Sequence, residues 1–492
     1  MDLWRSAPNF YSEKEPFCTV TDKNRVLSET TGLCTECLNE VPGKYEAIDG
    51  SVYLRRTCPE HGEKKRKVWG SVEHWEWASK YSPDINENDH LVVDGDHACL
   101  AVIEVTRDCN LSCSYCFASS GPGGERLSFE EVTHLIDVVL ERGGTRPIQM
   151  SGGEPTVRDD LPELVEYATE RGFGHIQVNT NGIELGKKEG YAKTLKEAGL
   201  TAVYLQFDGV TSETYESIRE KDILEEKHQA IEACRRVDLP VVLVPTVVPG
   251  VNDDEMGDIL RFGLENTDIV ESVNFQPVAH FGRYEKNDGR FSLDEAARTL
   301  AEQVEGIGTR DVLPVPCCSS YCQMATAVTQ NPSSSDGDLI PLTSLVDDSV
   351  YDALSDMVDE TDWMRYLTAS SKQEVQTEGQ TGCSSSGCCG GSGGIDVPEF
   401  AEGLLDDALR VSITGFMDAD AGDSERLANC CISVPTPDGE LVPFCGYNMT
   451  TEDGRYEMRN RNNWGGVDTS GVPSPSEDGT VEIETPPAEG DD

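Results

Sequence analysis

The sequence has no uninterrupted stretch of about 18 apolar residues, so no transmembrane helix is expected. Its most apolar run, Leu239 to Val248, is strand-length and contains two prolines. The first residues, Met1 to Pro16, are polar and charged and have no apolar core of a signal peptide, which predicts a cytoplasmic protein. Positive charge is scarce: 40 Lys and Arg stand against 90 Asp and Glu, a net charge of -50. Such a chain repels phosphates, which excludes nucleic acid as a partner, and an anionic membrane surface repels it equally. The acid is dispersed along the chain, the pattern expected of a folded protein adapted to concentrated salt, as in a halophile. At 492 residues and 37% hydrophobic content the chain can still bury a sizeable core.

Cysteine, by contrast, is plentiful at 18 residues. In a reducing compartment that number argues for metal ligation over disulfides, with scattered buried thiols as the alternative. Spacing decides between them.

Four regions separate. Residues 1–96 hold a small Cys/His module. Residues 97–282 alternate apolar runs with amphipathic segments. Residues 283–464 hold irregularly spaced cysteines and a Gly/Ser-rich insert, and 465–492 read as a disordered acidic tail. The second region predicts strands at Leu100–Thr106, Ile148–Ser151, Ile176–Thr180, Val203–Asp208, Val241–Val247 and Val273–Pro277. Ser128 and Glu131 form a capping-box pattern ahead of an apolar face at Val132, Leu135, Ile136 and Val139. Further helices are predicted at Leu161–Arg171, Tyr191–Ala198, Ile223–Arg236 and Glu255–Glu265. Strands alternating with helices give an α/β fold with a parallel sheet, whose chemistry belongs at the carboxyl ends of the strands.

After the first strand the chain reads Cys109-x3-Cys113-x2-Cys116. At this cysteine frequency about 0.02 such triplets arise by chance, so accident is a poor account of it. Three thiolates can hold three irons of a four-iron cube and leave the fourth open for chemistry. The structural alternative, a three-Cys zinc site, lacks a local fourth ligand.

These residues resemble the radical SAM superfamily. Tyr115 fits the aromatic position near the adenine. Ser151-Gly152-Gly153-Glu154-Pro155 resembles the motif that holds the methionyl amino group, with glycines for close backbone approach and a carboxylate for an ammonium. Asn179 and Asn181 after the third strand, and Asp208 after the fourth, stand where superfamily members contact SAM or substrate; each alone is an ordinary turn. The segment Val248–Asp253 resembles the one that packs on the adenosyl group. The resemblance implies a partial (β/α)6 barrel, a SAM-binding [4Fe-4S] cluster, and reductive cleavage of SAM to a 5′-deoxyadenosyl radical. It also implies a low-potential, ferredoxin-like electron donor.

Upstream, Cys34-x2-Cys37 and Cys58-x2-His61 form a knuckle pattern of a zinc ribbon or a rubredoxin-like iron site. His61 and Cys18 compete as its fourth ligand. Downstream, Cys317, Cys322, Cys430, Cys431 and Cys445 are the foremost candidate ligands of auxiliary [4Fe-4S] clusters. Cys383, Cys388 and Cys389 lie in the Gly/Ser-rich insert, which also reads as a flexible loop. Cys99 and Cys234, in a predicted strand and helix, are expected to be buried structural thiols.

The stretches Cys58–Gly62, Gly250–Asp253, Pro341-Leu342, Phe416–Ala419 and Pro443–Asn448 are similar to the archaeal tetraether lipid synthase family, in order over about residues 30–450. That resemblance implies C–H activation and carbon–carbon coupling of isoprenoid lipid chains. The alternative it leaves is modification, such as methylation, of a pterin or peptide. A non-catalytic metal-binding scaffold is the third reading, and it gives the Gly-Gly-Glu motif no purpose.

Overall fold

The computed structural model describes residues 24–82, 99–285, 290–315, 319–330, 339–341, 343, 408–456 and 458–461. Cys18, Cys317, Cys318, Cys383, Cys388, Cys389 and the acidic tail lie outside them.

The chain begins as a four-stranded antiparallel sheet, β1 (Asn24–Leu33), β2 (Glu40–Ile48), β3 (Ser51–Cys58) and β4 (Gly62–Trp69), followed by α1 (Val72–Ala78). Alternation buries Val52, Leu54 and Val68 on the inner face. The next units are β5 (Leu100–Thr106), α2 (Phe129–Gly143), β6 (Ile148–Gly152), α3 (Leu161–Glu170) and β7 (Ile176–Thr180). They continue with α4 (Ile183–Lys187), α5 (Tyr191–Ala198), β8 (Ala202–Gln206), α6 (Ser212–Arg219), α7 (Leu224–Arg235) and β9 (Val241–Val244). The last are β10 (Thr246–Val247), α8 (Met256–Glu265) and β11 (Val270–Pro277). Strands β5, β6, β7, β8, β9 and β11 are parallel and lie side by side in chain order, the arrangement of a six-stranded half-open barrel. These strands are almost continuously buried, as a sheet covered on both faces requires, with polar residues such as Glu104, Gln149, Ser151, Gln177 and Thr180 among the apolar ones.

The expected helix start is present in full. Ser128 Oγ accepts from Glu131 N at 3.1 Å, and Ser128 N donates to the Glu131 carboxylate at 2.7 Å. Several boundaries differ from expectation. The fourth strand ends at Gln206, and the fifth breaks at Pro245, which has no N–H to give the ladder. Cys99 precedes β5 and is exposed, against the expectation of a buried thiol, whereas Cys234 is buried on α7.

Beyond the barrel come α9 (Leu293–Gln303), β12 (Leu313–Pro314), β13 (Gln323–Gln330), β14 (Leu339–Pro341), β15 (Leu409–Thr414), β16 (Ile432–Pro435) and β17 (Leu441–Pro443). Strand β15 extends the sheet beside β11, and β16 extends it beside β5, so segments from the chain's second half flank both edges of the barrel. The N-terminal sheet docks on the same segments. Arg56, 2% exposed, donates to the carbonyls of Leu33 at 2.7 Å, Ala419 at 2.5 Å and Asp420 at 2.9 Å. Tyr45 donates to the Asp423 carboxylate at 2.6 Å, and Trp75 stacks on Tyr321 with ring centroids 3.8 Å apart. No helix among the described residues is long and apolar enough to cross a membrane.

Candidate metal and SAM site

The loop between β5 and α2 carries Cys109, Cys113 and Cys116. All three border one apolar pocket formed by Leu111, Ile183, Tyr215 and Ile223. The Leu111 N–H acts to favour the thiolate of Cys109, and the Arg219 guanidinium that of Cys113. Donors aimed at sulfur stabilise thiolate, so the loop fits a cluster held by three cysteines. Burial, and then the Glu154 carboxylate, push the free Cys109 thiol up to about 12, so ligation there must displace a proton.

The loop is seated by residues far along the chain. Cys116 and Arg283 exchange two backbone hydrogen bonds, of 2.8 and 3.0 Å. The Arg283 side chain donates to the carbonyls of Cys113 at 2.5 Å and Ser120 at 2.9 Å. Tyr456 donates to Phe117 O at 2.5 Å, and Arg459 reaches Ala118 O at 3.1 Å and the buried Glu104 carboxylate of β5 at 2.7 Å.

The Gly-Gly-Glu segment ties the end of β6 to its neighbours. A side chain on Gly152 would stand 2.1 Å from Thr106 O, and one on Gly153 would stand 2.3 Å from Asp108 O. The glycines thus let the end of β6 lie against the backbone entering the cysteine loop. Glu154 is fully buried. Its Oε1 accepts from Thr156 N at 3.0 Å, Thr156 Oγ1 at 2.5 Å and Thr180 Oγ1 at 2.6 Å, and its Oε2 accepts from Asn181 N at 2.7 Å. Its carboxylate therefore staples β6 to the end of β7. Burial pushes its pKa up, and these four donors oppose the rise. The Gly153→Ala variant is expected to lose iron from the loop while keeping the far-ultraviolet circular dichroism of the folded chain. Iron quantitation after anaerobic reconstitution checks it.

Asn181 turns from the staple to the loop, donating to Asn110 Oδ1 at 2.7 Å. The other amide group of this pair, Asn110 Nδ2, is buried without a partner beside Cys109, a donor free for a ligand at the cluster. Asn179 donates to Ser151 Oγ at 3.3 Å. Asp208 is fully buried in a bidentate pair with Arg219 (2.7 and 2.8 Å), which also reaches Tyr115 O at 3.1 Å. Asp208 thus serves the cysteine loop through Arg219. Tyr115 packs with Ile218, Val248 and Val278, which joins the expected adenine-side aromatic to the Val248–Asp253 turn. Asn252 holds that turn, donating to Asp208 O at 2.7 Å and Thr246 O at 2.8 Å.

Two further sulfur sites are formed. In the N-terminal sheet the ligand atoms of Cys34, Cys37, Cys58 and His61 all lie within 4.8 Å of one another. His61 Nδ1 is 3.5 Å from Cys34 Sγ and 3.4 Å from Cys58 Sγ, so His61 supplies the fourth ligand position. Backbone N–H groups of Glu60 and His61 aim at Cys58 and hold its thiol down to about 7. Four donors of this kind fit a closed tetrahedral site. In the second half, Cys430 is the largest influence pushing the buried Cys445 thiol up, and Cys322 adds to the rise. Arg426 donates to Cys322 Sγ at 3.3 Å and Met417 N to Cys445 Sγ at 3.3 Å. Cys431 is buried at the start of β16, where its carbonyl accepts from Cys99 N at 2.8 Å. Beside this trio, Trp69, Trp75, Val278, Arg290 and Tyr321 line a cavity of about 30 Å³, room for roughly one water and not for a substrate.

The sequence reading missed Arg219, Lys227, Arg283, Tyr456 and Arg459. One signal was available: Lys227 falls in register with Ala230, Ile231 and Cys234 on the apolar stripe of α7.

Residues 103–263 match the radical SAM superfamily, and residues 26–70 match the HMPTM N-terminal zinc ribbon domain. Superfamily membership implies a [4Fe-4S] cluster and S-adenosylmethionine as cofactors. The 7,8-dihydro-6-hydroxymethylpterin dimethyltransferase of Methanocaldococcus jannaschii is 34% identical over 477 residues, which cover 85% of this chain and 93% of that protein. A probable GTP 3′,8-cyclase of Methanothermobacter thermautotrophicus is 36% identical over 213 residues, 42% of this chain and 68% of that one. Among solved structures, Streptococcus suis SuiB bound to S-adenosylmethionine is similar at a TM-score of 0.36 and 15% identity, covering 43% of this chain and 47% of that chain. The chain is a radical SAM enzyme and belongs to the family of the 7,8-dihydro-6-hydroxymethylpterin dimethyltransferase.

Proposed function

We propose that the chain methylates a reduced hydroxymethylpterin. The observation that carries this reading is the likeness to the pterin dimethyltransferase over 85% of this chain and 93% of that protein, together with the match of residues 26–70 to the HMPTM ribbon. The comparisons back the pterin alternative of the sequence reading and give lipid-chain coupling no support.

Cys109, Cys113 and Cys116 are the proposed ligands of the SAM cluster. Cys34, Cys37, Cys58 and His61 hold the ribbon metal, and Cys322, Cys430 and Cys445 ligate an auxiliary cluster. A [4Fe-4S] cluster held by these three cysteines would supply one-electron reductive chemistry to a bound SAM. The chain's own residues orient and enclose. Arg219 and Leu111 N hold the thiolates, and the Glu154–Asn181 staple sets the strand ends that cradle SAM. Tyr115 and Val248 offer an apolar surface to its adenosyl group and keep water away. Radical SAM chemistry needs a reductant, here a low-potential electron donor.

The test is anaerobic incubation of the reconstituted enzyme with SAM, dithionite, 7,8-dihydro-6-hydroxymethylpterin and a methyl source distinct from the SAM cleaved to the radical, supplied either as a second, methyl-labelled SAM or as a reduced pterin cofactor carrying a one-carbon unit. Mass spectrometry should show a pterin heavier by one or two methyl groups, with 5′-deoxyadenosine formed alongside. Deoxyadenosine without any change in the pterin, together with coupled products from isoprenoid chains, would replace this reading with lipid coupling.

A further inference from the structure

Lys227 is the only lysine among the described residues that is fully buried. Its Nζ donates to Asn181 O at 2.6 Å and Gln206 Oε1 at 3.3 Å, and lies 5.6 Å from the Tyr215 ring centroid. None of these partners is a carboxylate, so no direct ion pair explains why an ammonium is buried there.

Two arms leave this ammonium and both end on the cysteine loop. One runs from Asn181 to Asn110, the residue after Cys109, and through Asn181 N to the Glu154 staple. The other runs from Gln206, whose amide donates to the Asp208 carboxylate, to Arg219 and thence to Cys113 and Tyr115 O. Tyr215, under the lysine, belongs to the pocket the three cysteines border. Lys227 thus ties the end of β7 to the end of β8 beside the apolar cluster that the cysteines join.

We propose that Lys227 is a positioning residue for SAM: its donated hydrogen bonds lock the Glu154–Asn181 cradle to the Asp208–Arg219 arm, and so fix the cysteine loop in register with the bound cofactor. Charged groups surround it from every packed element: Asp208 after β8, Arg219 on α6, Glu154 after β6 and Cys113 on the loop. Burial, the largest influence, pushes its ammonium down to about 7, with the Asp208 carboxylate opposing. The lysine works through hydrogen-bond donation, which the ammonium and the neutral amine both provide.

The test compares Lys227→Met and Lys227→Gln with wild type in the full, anaerobically reconstituted chain. SAM binding per cluster is measured by equilibrium dialysis, and electron paramagnetic resonance of the reduced cluster is recorded with and without SAM. The methionine fills the space with no donor, while the glutamine keeps an N–H. The expected result is SAM binding weaker by about tenfold to a hundredfold in Lys227→Met. The SAM-induced change in its resonance spectrum should be lost, and both properties should largely return in Lys227→Gln. Wild-type binding and spectra in Lys227→Met would overturn the proposal. So would equal defects in both variants, cluster loss included, since charge or packing would then be the cause. No pterin is added, so failure here leaves the pterin reading standing. A wild-type chain that binds no SAM would instead overturn the assignment of the cysteine loop.

Discussion

Replacing Cys109, Cys113 and Cys116 together with alanine removes reductive SAM cleavage entirely and lowers the iron content by one cube, about four irons per chain. The apolar pocket of Leu111, Ile183, Tyr215 and Ile223 that borders the three thiols gains nothing in their place. Alanine fills it nearly as well as cysteine, so the fold should survive. The measurement is iron and sulfide quantitation paired with a deoxyadenosine assay under dithionite. Retention of the ribbon metal and of the second-half cluster in the same variant separates the three sites. An unchanged iron content would show that the loop holds no cluster.

Arg219→Met is expected to destabilise the folded chain by about 3–5 kcal/mol, because it leaves the Asp208 carboxylate buried without its partner. Asp208 is 0% exposed, and both of its oxygens lose a donor in the variant. Urea unfolding of the metal-free chain checks the prediction through the midpoint shift. The double variant Asp208→Asn, Arg219→Met removes both charges of the pair together and should recover much of the loss. If the single variant unfolds like wild type, solvent reaches the pair and the electrostatic account fails. The loss of the guanidinium should also loosen Tyr115, whose carbonyl it holds. The adenine side of the site then suffers even where the chain stays folded.

The barrel strands were legible because a buried parallel strand is a short apolar run between turn residues, and six such runs stand in order. The cysteine loop was legible because ligation needs a fixed spacing within one turn of chain. The helix α4 escaped because five residues carry too little periodicity to register. The long-range partners escaped for another reason. Arg283, Tyr456 and Arg459 are ordinary polar residues in their own segments, and only the fold brings them to the loop. Glu154 shows a subtler limit. Its motif was visible, but the four donors on its carboxylate come from backbone and hydroxyl groups that leave no mark on sequence spacing. His61 lay between these cases: its spacing from Cys58 suggested a ligand, and the strand pairing of β3 with β4 brings it to Cys34, Cys37 and Cys58.

The seat of the cysteine loop has a consequence for how the enzyme is made. Tyr456 and Arg459 bond to carbonyls that lie 339 and 341 residues earlier in the chain. A ribosome finishes the loop long before it makes the residues that close over it. During that interval the thiols of Cys109, Cys113 and Cys116 stand without their cover, open to an iron–sulfur donor and to oxygen alike. Cluster delivery fits into this window or just after it, and the arrival of Arg459 then shuts the door on both.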